Sequence, residues 1–326
     1  MKIAFFWTPA FSAKILEDLL KYDNIDIPLV VSQPDKPVWR KKELLPTPVK
    51  NVSNLSNIEC RQPEKIKWND EFKDYLKSLD LDFIVVVAYW KIIPKDILEI
   101  PKHWCINIHW SILPKYRWAS PIQESILNWD NETWLTIMFM NENMDEWDIL
   151  STQKVDIDIR DTQTEIFDKF NEIAPRLLVS TLEGVISWDI KWTRQDDNLS
   201  SYCTLIKKWD WEINFNNSAF NIYNKFRAYT PWPWIYTYYK WKKLSIESCF
   251  FDRDNLVSEW FDVWDVVELE YEHNEILPWQ KKYIWIVCME GILIILDVKL
   301  EWKKKVSIFD FINGQKEFLD YNFITN

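Results

Sequence analysis

Glycine is nearly absent from this sequence, which has three glycines and 22 tryptophans among its 326 residues. A typical globular protein has about 7% glycine, so a chain of this length is expected to hold about twenty. Tight turns and backbone positions with positive φ favour glycine because it has no Cβ. The sequence therefore lacks the residues that the turns of an ordinary two-domain protein require.

Long hydrophobic runs and metal-ligand spacings are also missing. The longest apolar stretches, such as residues 83–90, are far shorter than the ~20 residues of a membrane-spanning helix. The N-terminal apolar run at residues 3–7 favours a buried strand over a signal peptide. The five cysteines are scattered, and no two have the spacing of metal ligands. We therefore expect a cytoplasmic protein with reduced cysteines and no metal site.

Positive charge is in short supply, since 39 Lys and Arg stand against 50 Asp and Glu, a net charge of -11. This balance argues against a protein that coats nucleic acid with its whole surface. Two local groups of basic residues remain, one within residues 36–50 and one within residues 299–305. Each group alone is more typical of a solvated surface than of a binding face.

The first part of the chain has the hydrophobic pattern of an α/β domain. Strand and helix patterns alternate from residue 2 to residue 187, and residues 81–89 form an apolar run typical of a strand buried on both faces. Such alternation predicts a doubly wound, mostly parallel, Rossmann-like sheet.

The pattern changes near residue 193. Residues 193–203 are polar and linker-like, and short strand patterns with one helix pattern at residues 219–228 follow. These strands predict a small C-terminal β-barrel of OB-like type. We therefore expect a catalytic or ligand-binding domain at residues 1–192, a linker at 193–203 and a β-barrel domain at 204–326.

The segment CINIHWSILPKYR, residues 105–117, has the clearest chemical pattern in the sequence. Asn107 and His109 lie two apart on a predicted strand, so their side chains point to one face. They lie at the strand's carboxyl end, where open α/β sheets place ligand sites. A lone histidine is more often structural than catalytic, and the shared face with Asn107 brings the two interpretations into balance. Asp145 lies in an acidic turn, which alone is more typical of an ordinary surface loop.

These residues resemble the signature of the formyltetrahydrofolate-dependent transferases, in which Asn-x-His precedes a Ser-Leu-Leu-Pro loop and an Asp follows further along. The resemblance implies that Asn107, His109 and Asp145 are the catalytic trio. It also implies 10-formyltetrahydrofolate as co-substrate and no metal. The implied folate-contacting loop, in which isoleucine replaces the first leucine, is Ser111, Ile112, Leu113 and Pro114.

The trio suits the transfer of a formyl group to an amine, in which the carbonyl carbon becomes tetrahedral and its oxygen gains negative charge. Asn107 can donate a hydrogen bond to that oxygen. His109 can carry a proton between the attacking amine and the leaving nitrogen, or donate a second hydrogen bond. Asp145 can hold the histidine tautomer and order a water. The sequence does not decide which of them carries the proton.

Further segments resemble the members of this family that act on methionyl-tRNA. Residues 33–42 and 46–50 resemble their tRNA-contacting loop, and residues 210–215 and 227–233 resemble their C-terminal domain. The resemblance thus implies formylation of the α-amino group of initiator methionyl-tRNA for translation initiation, by a monomer without membrane contact. The implied tRNA-binding residues are Arg40, Lys41 and Lys42.

Tryptophan stands at many positions where this family commonly has glycine. Trp232 matches a family tryptophan, and four others (Trp68, Trp209, Trp260 and Trp279) have no clear counterpart. If these side chains are real, we expect Trp110 and Trp147 to intrude on the folate pocket. A simpler hypothesis is that UGA codons mean glycine in the source and were decoded as tryptophan. The positions concerned are Trp7, Trp39, Trp90, Trp104, Trp110, Trp118, Trp129, Trp134, Trp147, Trp188, Trp192, Trp211, Trp234, Trp241, Trp264, Trp285 and Trp302.

Two other functions are compatible with parts of the sequence. A formyltransferase for a small amine, such as a purine precursor or an amino sugar nucleotide, would share the trio and the folate loop, although residues 33–50 and the C-terminal domain argue against it. A non-catalytic tRNA- or folate-binding protein is the second alternative, and it requires that tryptophans block the pocket.

Overall fold

The computed structural model describes residues 1–8, 13–38, 43–89, 91–142, 145–252, 261–270, 282–321 and 323. The chain divides into two compact units. The first unit comprises Met1–Pro121, Glu132–Ile157 and Glu165–Thr204. The second comprises Ile122–Asn131, Asp158–Thr164 and Leu205–Asn326.

The described helices and strands are numbered here in chain order. Those up to the longest helix are β1 (Lys2–Trp7), α1 (Ala13–Leu19), β2 (Asp26–Val31), β3 (Lys36–Val38), β4 (Glu43–Leu45), α2 (Pro48–Leu55), β5 (Glu59–Arg61), α3 (Asp70–Ser78), β6 (Phe83–Val87), α4 (Lys95–Leu98), β7 (Trp104–His109), β8 (Arg117–Trp118), α5 (Pro121–Leu127), β9 (Glu132–Phe139), β10 (Ile149–Asp156) and α6 (Gln163–Ser187). Those that follow are β11 (Tyr202–Cys203), α7 (Ala219–Tyr229), β12 (Tyr236–Tyr239), β13 (Lys242–Asp252), β14 (Val266–Glu270), β15 (Lys282–Val287), β16 (Ile292–Leu300), β17 (Val306–Ser307) and α8 (Ile308–Gly314).

The first unit is built on a seven-stranded sheet with the strand order β10-β9-β7-β6-β1-β2-β5. Five neighbouring strands of this sheet are parallel to one another, namely β7, β6, β1, β2 and β5. β9 is antiparallel to β7, and β10 is antiparallel to β9. The predicted mostly parallel α/β sheet is therefore confirmed. β1 and β6 are buried along most or all of their length, as expected of strands covered on both faces.

The helices α3 and α4 cover one face of this sheet. Phe72 and Leu76 of α3 and Ile97 of α4 pack in one core cluster with Phe6 of β1 and Ile84 of β6. Burying a large apolar side chain stabilises the fold by about 1.5–3 kcal/mol, so this layer is a major contribution to holding the sheet rigid. Rigidity matters here because β7, which carries Asn107 and His109, pairs directly with β6.

The second unit contains an antiparallel sheet with the order β12-β13-β16-β15-β14, and β17 pairs with β16. This antiparallel C-terminal domain was predicted from the short strand patterns and is confirmed. The segment Asp158–Thr164 is held in the unit by Arg227 of α7. The guanidinium of Arg227 is 3% exposed and donates to the carbonyls of Asp158 and Asp161, both at 2.7 Å.

Two helices were not predicted, and each begins at a side-chain cap. The hydroxyl of Thr47 accepts from the backbone N–H of Lys50 at the start of α2, where Pro48 occupies the first turn. Ser307 accepts in the same way from the N–H of Asp310 in α8. Both are ordinary helix starts. The four prolines of residues 34–48 made the first of them look like continuous loop.

The polar segment 193–203, expected to be a linker, is integrated into the first unit. Thr193 exchanges two backbone hydrogen bonds with Ile149, both of 2.8 Å. Further along, β11 pairs with β8. Within the part of the chain that the structure describes, no helix has the length and apolar character of a membrane span.

Candidate active site

The strand β7 presents Asn107 and His109 on one face at its carboxyl end. β7 is bounded by β6 on one side and β9 on the other, so its backbone is fixed by two ladders. Asn107 is half-buried and His109 is 5% exposed. The alternation of side chains along the strand thus places an amide and an imidazole together in a sheltered position.

Asp145 lies against both of these side chains. The Nδ2 of Asn107 donates to Oδ1 of Asp145 at 3.3 Å, and Nδ1 of His109 lies 3.7 Å from the same oxygen. The backbone of Asp145 has φ 60°, which aspartate tolerates better than most residues. The structure therefore brings together the three residues that the sequence pattern and the resemblance predicted to form the catalytic trio.

A backbone carbonyl determines which nitrogen of His109 carries the proton. The Nε2 of His109 lies 3.0 Å from the carbonyl oxygen of Tyr116. A carbonyl oxygen can only accept, so Nε2 is the donor and Nδ1 of the neutral ring has a free lone pair. That lone pair lies beside Asp145, which can stabilise the ring after it takes up a proton. The nitrogen able to exchange protons is therefore Nδ1.

The predicted folate loop forms a turn directly after β7. Ser111 is fully buried, its hydroxyl donates to the carbonyl of Lys115 at 2.8 Å, and its carbonyl accepts from Thr136 at 2.6 Å. Leu113 is 5% exposed, and Leu113 and Pro114 are joined by a cis peptide bond. The half-buried side chains of Ile112 and Pro114 are thus the more accessible part of this loop. The serine side chain has a structural role within the turn.

The residues expected to contact tRNA, Arg40, Lys41 and Lys42, lie outside the described residues. Of the same basic segment, Lys50 is engaged elsewhere, because its Nζ lies 2.6 Å from Oδ2 of Asp35 and 2.7 Å from Oε1 of Gln62. Burial, the largest single influence, raises the pKa of Asp35, but the hydrogen bonds from Lys50, Gln62 and the backbone of Thr47 together lower it below its ordinary value. Lys50 is therefore an internal ion-pair partner and not a free surface cation.

Two buried residues that were not predicted from the sequence, Arg117 and Gln195, support the loop that carries Asp145. Arg117 is 1% exposed, and Gln195 is 6% exposed. The amide of Gln195 donates to the carbonyl oxygens of Asp145 and Trp147, at 3.0 and 2.6 Å. An arginine close after the Asn-x-His segment was visible in the sequence. Its burial and its partner 78 residues away were not.

Arg117 is held as a cation in this buried position. Its guanidinium donates to Oε1 of Gln195 from Nε and from a terminal nitrogen, at 3.2 and 2.9 Å, and to Oδ1 of Asp197 at 2.8 Å. A further bond of 3.1 Å joins it to the hydroxyl of Tyr202. Burial, the largest single influence, lowers the pKa of Arg117, but the bonds to Asp197 and Tyr202 raise the pKa overall.

The tryptophans beside the trio differ in burial, and Trp118 is the most exposed of them at 48%. Trp110 is 6% exposed, with its ring centroid 5.2 Å from that of Phe170 and 6.5 Å from that of Trp7. Trp147 is half-buried and lies 6.1 Å from Phe139. The ring of Trp110 is thus buried against Phe167 and Phe170 of α6.

No group of three or more His, Cys, Asp or Glu side chains among the described residues is arranged to hold a metal ion. The polar groups at the tip of β7 are instead an amide, an imidazole and a carboxylate. Such a set suits the transfer of an acyl group between nitrogen atoms, since it offers a hydrogen-bond donor and a proton carrier.

Two family models match the chain and define its class. The model described as formyl transferase matches residues 1–182, and the model described as formyl transferase, C-terminal domain, matches residues 205–316. The chain thus has the two domains of a formyl transferase.

Similarity to curated relatives shows to which family of formyl transferases the chain belongs. The chain is 39% identical to a methionyl-tRNA formyltransferase of Caldicellulosiruptor saccharolyticus over 97% of both chains. It is 38% identical to a methionyl-tRNA formyltransferase of Sulfurimonas denitrificans, again over 97% of both. The chain therefore belongs to the methionyl-tRNA formyltransferase family.

A solved structure supports the fold. The N-formyltransferase from Helicobacter canadensis, in complex with folinic acid and dTDP-3-aminofucose, aligns with a TM-score of 0.60. The alignment covers 90% of this chain and 97% of that one, at 19% sequence identity. At this identity the similarity supports the shared architecture alone.

Proposed function

We propose that this protein transfers the formyl group of 10-formyltetrahydrofolate to the α-amino group of methionyl initiator tRNA. Full-length similarity to curated methionyl-tRNA formyltransferases supports the substrates. The observation that carries the reaction is the convergence of Asn107, His109 and Asp145 at the tip of β7.

The reaction exchanges one carbon–nitrogen bond for another. The amine nitrogen of methionine attacks the formyl carbon, the bond from that carbon to the folate nitrogen breaks, and one proton passes from the amine to the leaving nitrogen. As the carbon becomes tetrahedral, its oxygen gains negative charge. The amide of Asn107 is the donor assigned to that oxygen, a contact typically worth about 10²–10³ in rate.

His109 is assigned the proton transfer. Its Nε2 donates to the carbonyl of Tyr116, so Nδ1 is the nitrogen that can take a proton from the amine and give it to the leaving folate nitrogen. Asp145 stabilises the protonated ring across 3.7 Å. In this role Asp145 keeps its negative charge and also orients Asn107, whose amide it accepts from.

The residues around the trio suit a reduced folate. Ile112 and Pro114 offer partly exposed apolar surface in the turn that follows β7, and Asn107 offers an amide donor beside it. Apolar contacts with a few placed polar groups are typical of such ligand sites. We assign folate binding to the loop Ser111–Ile112–Leu113–Pro114, with Ser111 acting through its hold on the turn and not by direct contact.

The macromolecular partner is assigned to other parts of the chain. We assign tRNA contact to Arg40, Lys41 and Lys42, because cations bind phosphates and the chain as a whole is acidic. The protein is expected to act in the cytoplasm as a monomer. The predicted boundaries, 1–192 and 204–326 with 193–203 between them, stay our proposal for its two functional domains.

An acceptor comparison tests this function. We expect the purified enzyme with 10-formyltetrahydrofolate to formylate methionyl initiator tRNA, and to act at least about 100-fold less efficiently on an amino sugar nucleotide, since the two acceptors share only an amine. The measurement is kcat/KM for each acceptor by release of tetrahydrofolate. Uncharged initiator tRNA is the control. Preference for the sugar nucleotide would favour the small-amine alternative and contradict the proposal.

A further inference from the structure

We propose that Gln195 is a positioning residue for the formyl transfer and fixes the loop that carries Asp145. This inference rests on the proposed function. It is carried by the geometry of one buried side chain, which makes four hydrogen bonds to other residues. An amide can donate two hydrogen bonds and accept two, so Gln195 uses its full capacity.

The two donors of Gln195 act on the Asp145 loop. They bind the carbonyl oxygens of Asp145 and Trp147, which lie on either side of Glu146. Two bonds to one short loop restrain its rotation as well as its position. The side chain of Asp145 is restrained at the other end, because its Oδ2 accepts from the backbone N–H of Trp118 at 3.0 Å.

The two acceptor bonds of Gln195 tie the loop to Arg117. Arg117 and Trp118 form β8, so one two-residue strand supplies both the cation that holds Gln195 and the N–H that holds the carboxylate. Tyr116, which precedes them, supplies the carbonyl bound by His109. Residues 116–118 and Gln195 thus form one frame around the trio.

Catalysis is sensitive to such frames, because a misplacement of about 1 Å can cost about 100-fold in rate. Loss of the two donors from Gln195 leaves two partly buried carbonyls without these partners, so the Asp145 loop is free to shift. The 3.3 and 3.7 Å contacts of Asp145 with Asn107 and His109 then lengthen. Substrate binding is affected less, because the four described bonds of Gln195 go to Arg117 and the Asp145 loop and not to the turn after β7.

The test compares Gln195→Met and Gln195→Glu with the intact enzyme. Methionine keeps the shape and loses all four bonds, and glutamate keeps the contact with Arg117 but loses both donors. We expect both variants to lower kcat by about 10- to 100-fold, with KM for either substrate changed less than about 3-fold. Gln153→Met is the matched control, because Gln153 is exposed on β10, and it should leave kcat unchanged.

A second readout makes the result independent of activity. Amide hydrogen exchange at position 118, whose backbone N–H is bound to Asp145, should quicken in both Gln195 variants and stay slow in the control. Unchanged kcat per folded molecule, with a lowered melting temperature alone, would reduce Gln195 to a structural role and overturn the proposal. If the intact enzyme does not formylate methionyl-tRNA, the proposed function fails. If amide exchange at position 118 is unchanged in both Gln195 variants, Gln195 does not hold the Asp145 loop, and this inference fails independently of the function.

Backbone conformation supports a second, independent inference: we infer that nine tryptophans of this sequence are glycine in the protein that cells make. All nine have a positive φ, a region that bulky residues rarely adopt. They are Trp68, Trp104, Trp118, Trp129, Trp188, Trp234, Trp241, Trp264 and Trp302.

The tight turns among them have the geometry of glycine turns. The hairpin between β12 and β13 has a two-residue loop, Lys240 and Trp241, with φ 46° and 64°. Positive φ at both positions defines the type I′ turn, whose second position is typically glycine. Trp264 and Trp302 hold the third position of turns closed by the bonds Asp265 N–H to Asp262 and Lys303 N–H to Leu300. A positive φ there also favours glycine.

The helix ends agree with the turns. Trp188 follows the last residue of α6 with φ 60°, and Trp129 follows Asn128, the first residue beyond α5, with φ 63°. In the second case the N–H of Asp130 reaches back to the carbonyl of Ser125, the bond that closes a helix after a left-handed residue. Glycine is the usual residue at this position. The ring of Trp129 also lies only 2.8 Å from that of Phe220, closer than stacked rings pack.

Peptide mass spectrometry of the protein isolated from its own cells tests this inference. We expect each of the nine positions to have the mass of glycine, and Trp232, which has no positive φ, to have the mass of tryptophan. Reading of UGA codons as glycine in those cells is the simplest cause, so the gene should show UGA at all nine and UGG at Trp232. Tryptophan masses at the nine positions would overturn the inference.

Discussion

His109→Ala is expected to lower kcat for formyl transfer by about 100- to 10,000-fold, the usual effect of removing a general acid–base group. Alanine cannot exchange a proton at the position of Nδ1, which faces Asp145 across 3.7 Å. The variant should still bind both substrates, since the turn after β7 is held by bonds that do not involve the ring. Single-turnover rates with pre-bound methionyl-tRNA measure the chemical step directly.

Asp145→Asn should lower kcat to a similar extent by a different route. Asparagine has almost the same shape and also tolerates the left-handed backbone of position 145, so the loop keeps its path. The charge that stabilises the protonated His109 is lost, and the amide of Asn107 can face another amide. Binding of folate should change little. This separates the electrostatic role of the carboxylate from its place in the fold.

Matched controls exist for both substitutions. His103 immediately precedes β7, at the end of the strand opposite to His109, and packs on Phe83, so His103→Ala should leave kcat nearly unchanged. Asp148→Ala is the control for Asp145, because Asp148 belongs to the same loop and its described bond to Phe139 uses only its backbone carbonyl. Near-normal turnover by His109→Ala or Asp145→Asn, at levels similar to these controls, would refute the assigned roles.

The second large effect concerns stability. A left-handed backbone costs a residue with a side chain about 1–2 kcal/mol, so glycine at the nine positive-φ tryptophans should stabilise the fold by about 9–18 kcal/mol. Whole domains are stable by only about 5–15 kcal/mol. We therefore expect the chain with nine glycines to unfold cooperatively in urea, and the chain with nine tryptophans to show no comparable transition.

Single positions provide the control for this comparison. In the nine-glycine chain, a tryptophan returned at position 241 should cost about 1–2 kcal/mol, because the type I′ turn is strained again. Trp209 is similarly exposed, at 68% against 74% for Trp241, but it has no positive φ. Trp209→Gly should therefore change stability by less than about 1 kcal/mol. Equal effects at the two positions would show that backbone strain is not the cause.

The central strands could be predicted from the sequence because burial on both faces leaves a continuous apolar run. Residues 81–89 were expected to form a strand, and β6 occupies Phe83–Val87 within them. The helix α2 was missed because its start signal, a threonine cap before a proline, lies among other prolines that suggest a loop. Local pattern therefore identifies buried elements better than exposed elements that depend on a cap.

The site was predictable in part for the same physical reason. Asn107 and His109 share a strand face, which a period of two residues reveals. Asp145 was assigned to the site only through the resemblance, because the sequence of an acidic turn does not show which residues its carboxylates contact. Gln195 could not be found, because its four bonds are made with residues 48 to 78 positions away. A polar side chain in a polar segment gives no sign that it is buried.

A crystal structure of the enzyme with a non-reactive 10-formyltetrahydrofolate analogue tests the central claim most directly. We predict that the carbonyl oxygen of the bound formyl-like group lies about 2.7–3.2 Å from Nδ2 of Asn107, with Nδ1 of His109 on the side of the folate nitrogen that carries the group. A folate bound with that group out of hydrogen-bond reach of both side chains would contradict the account.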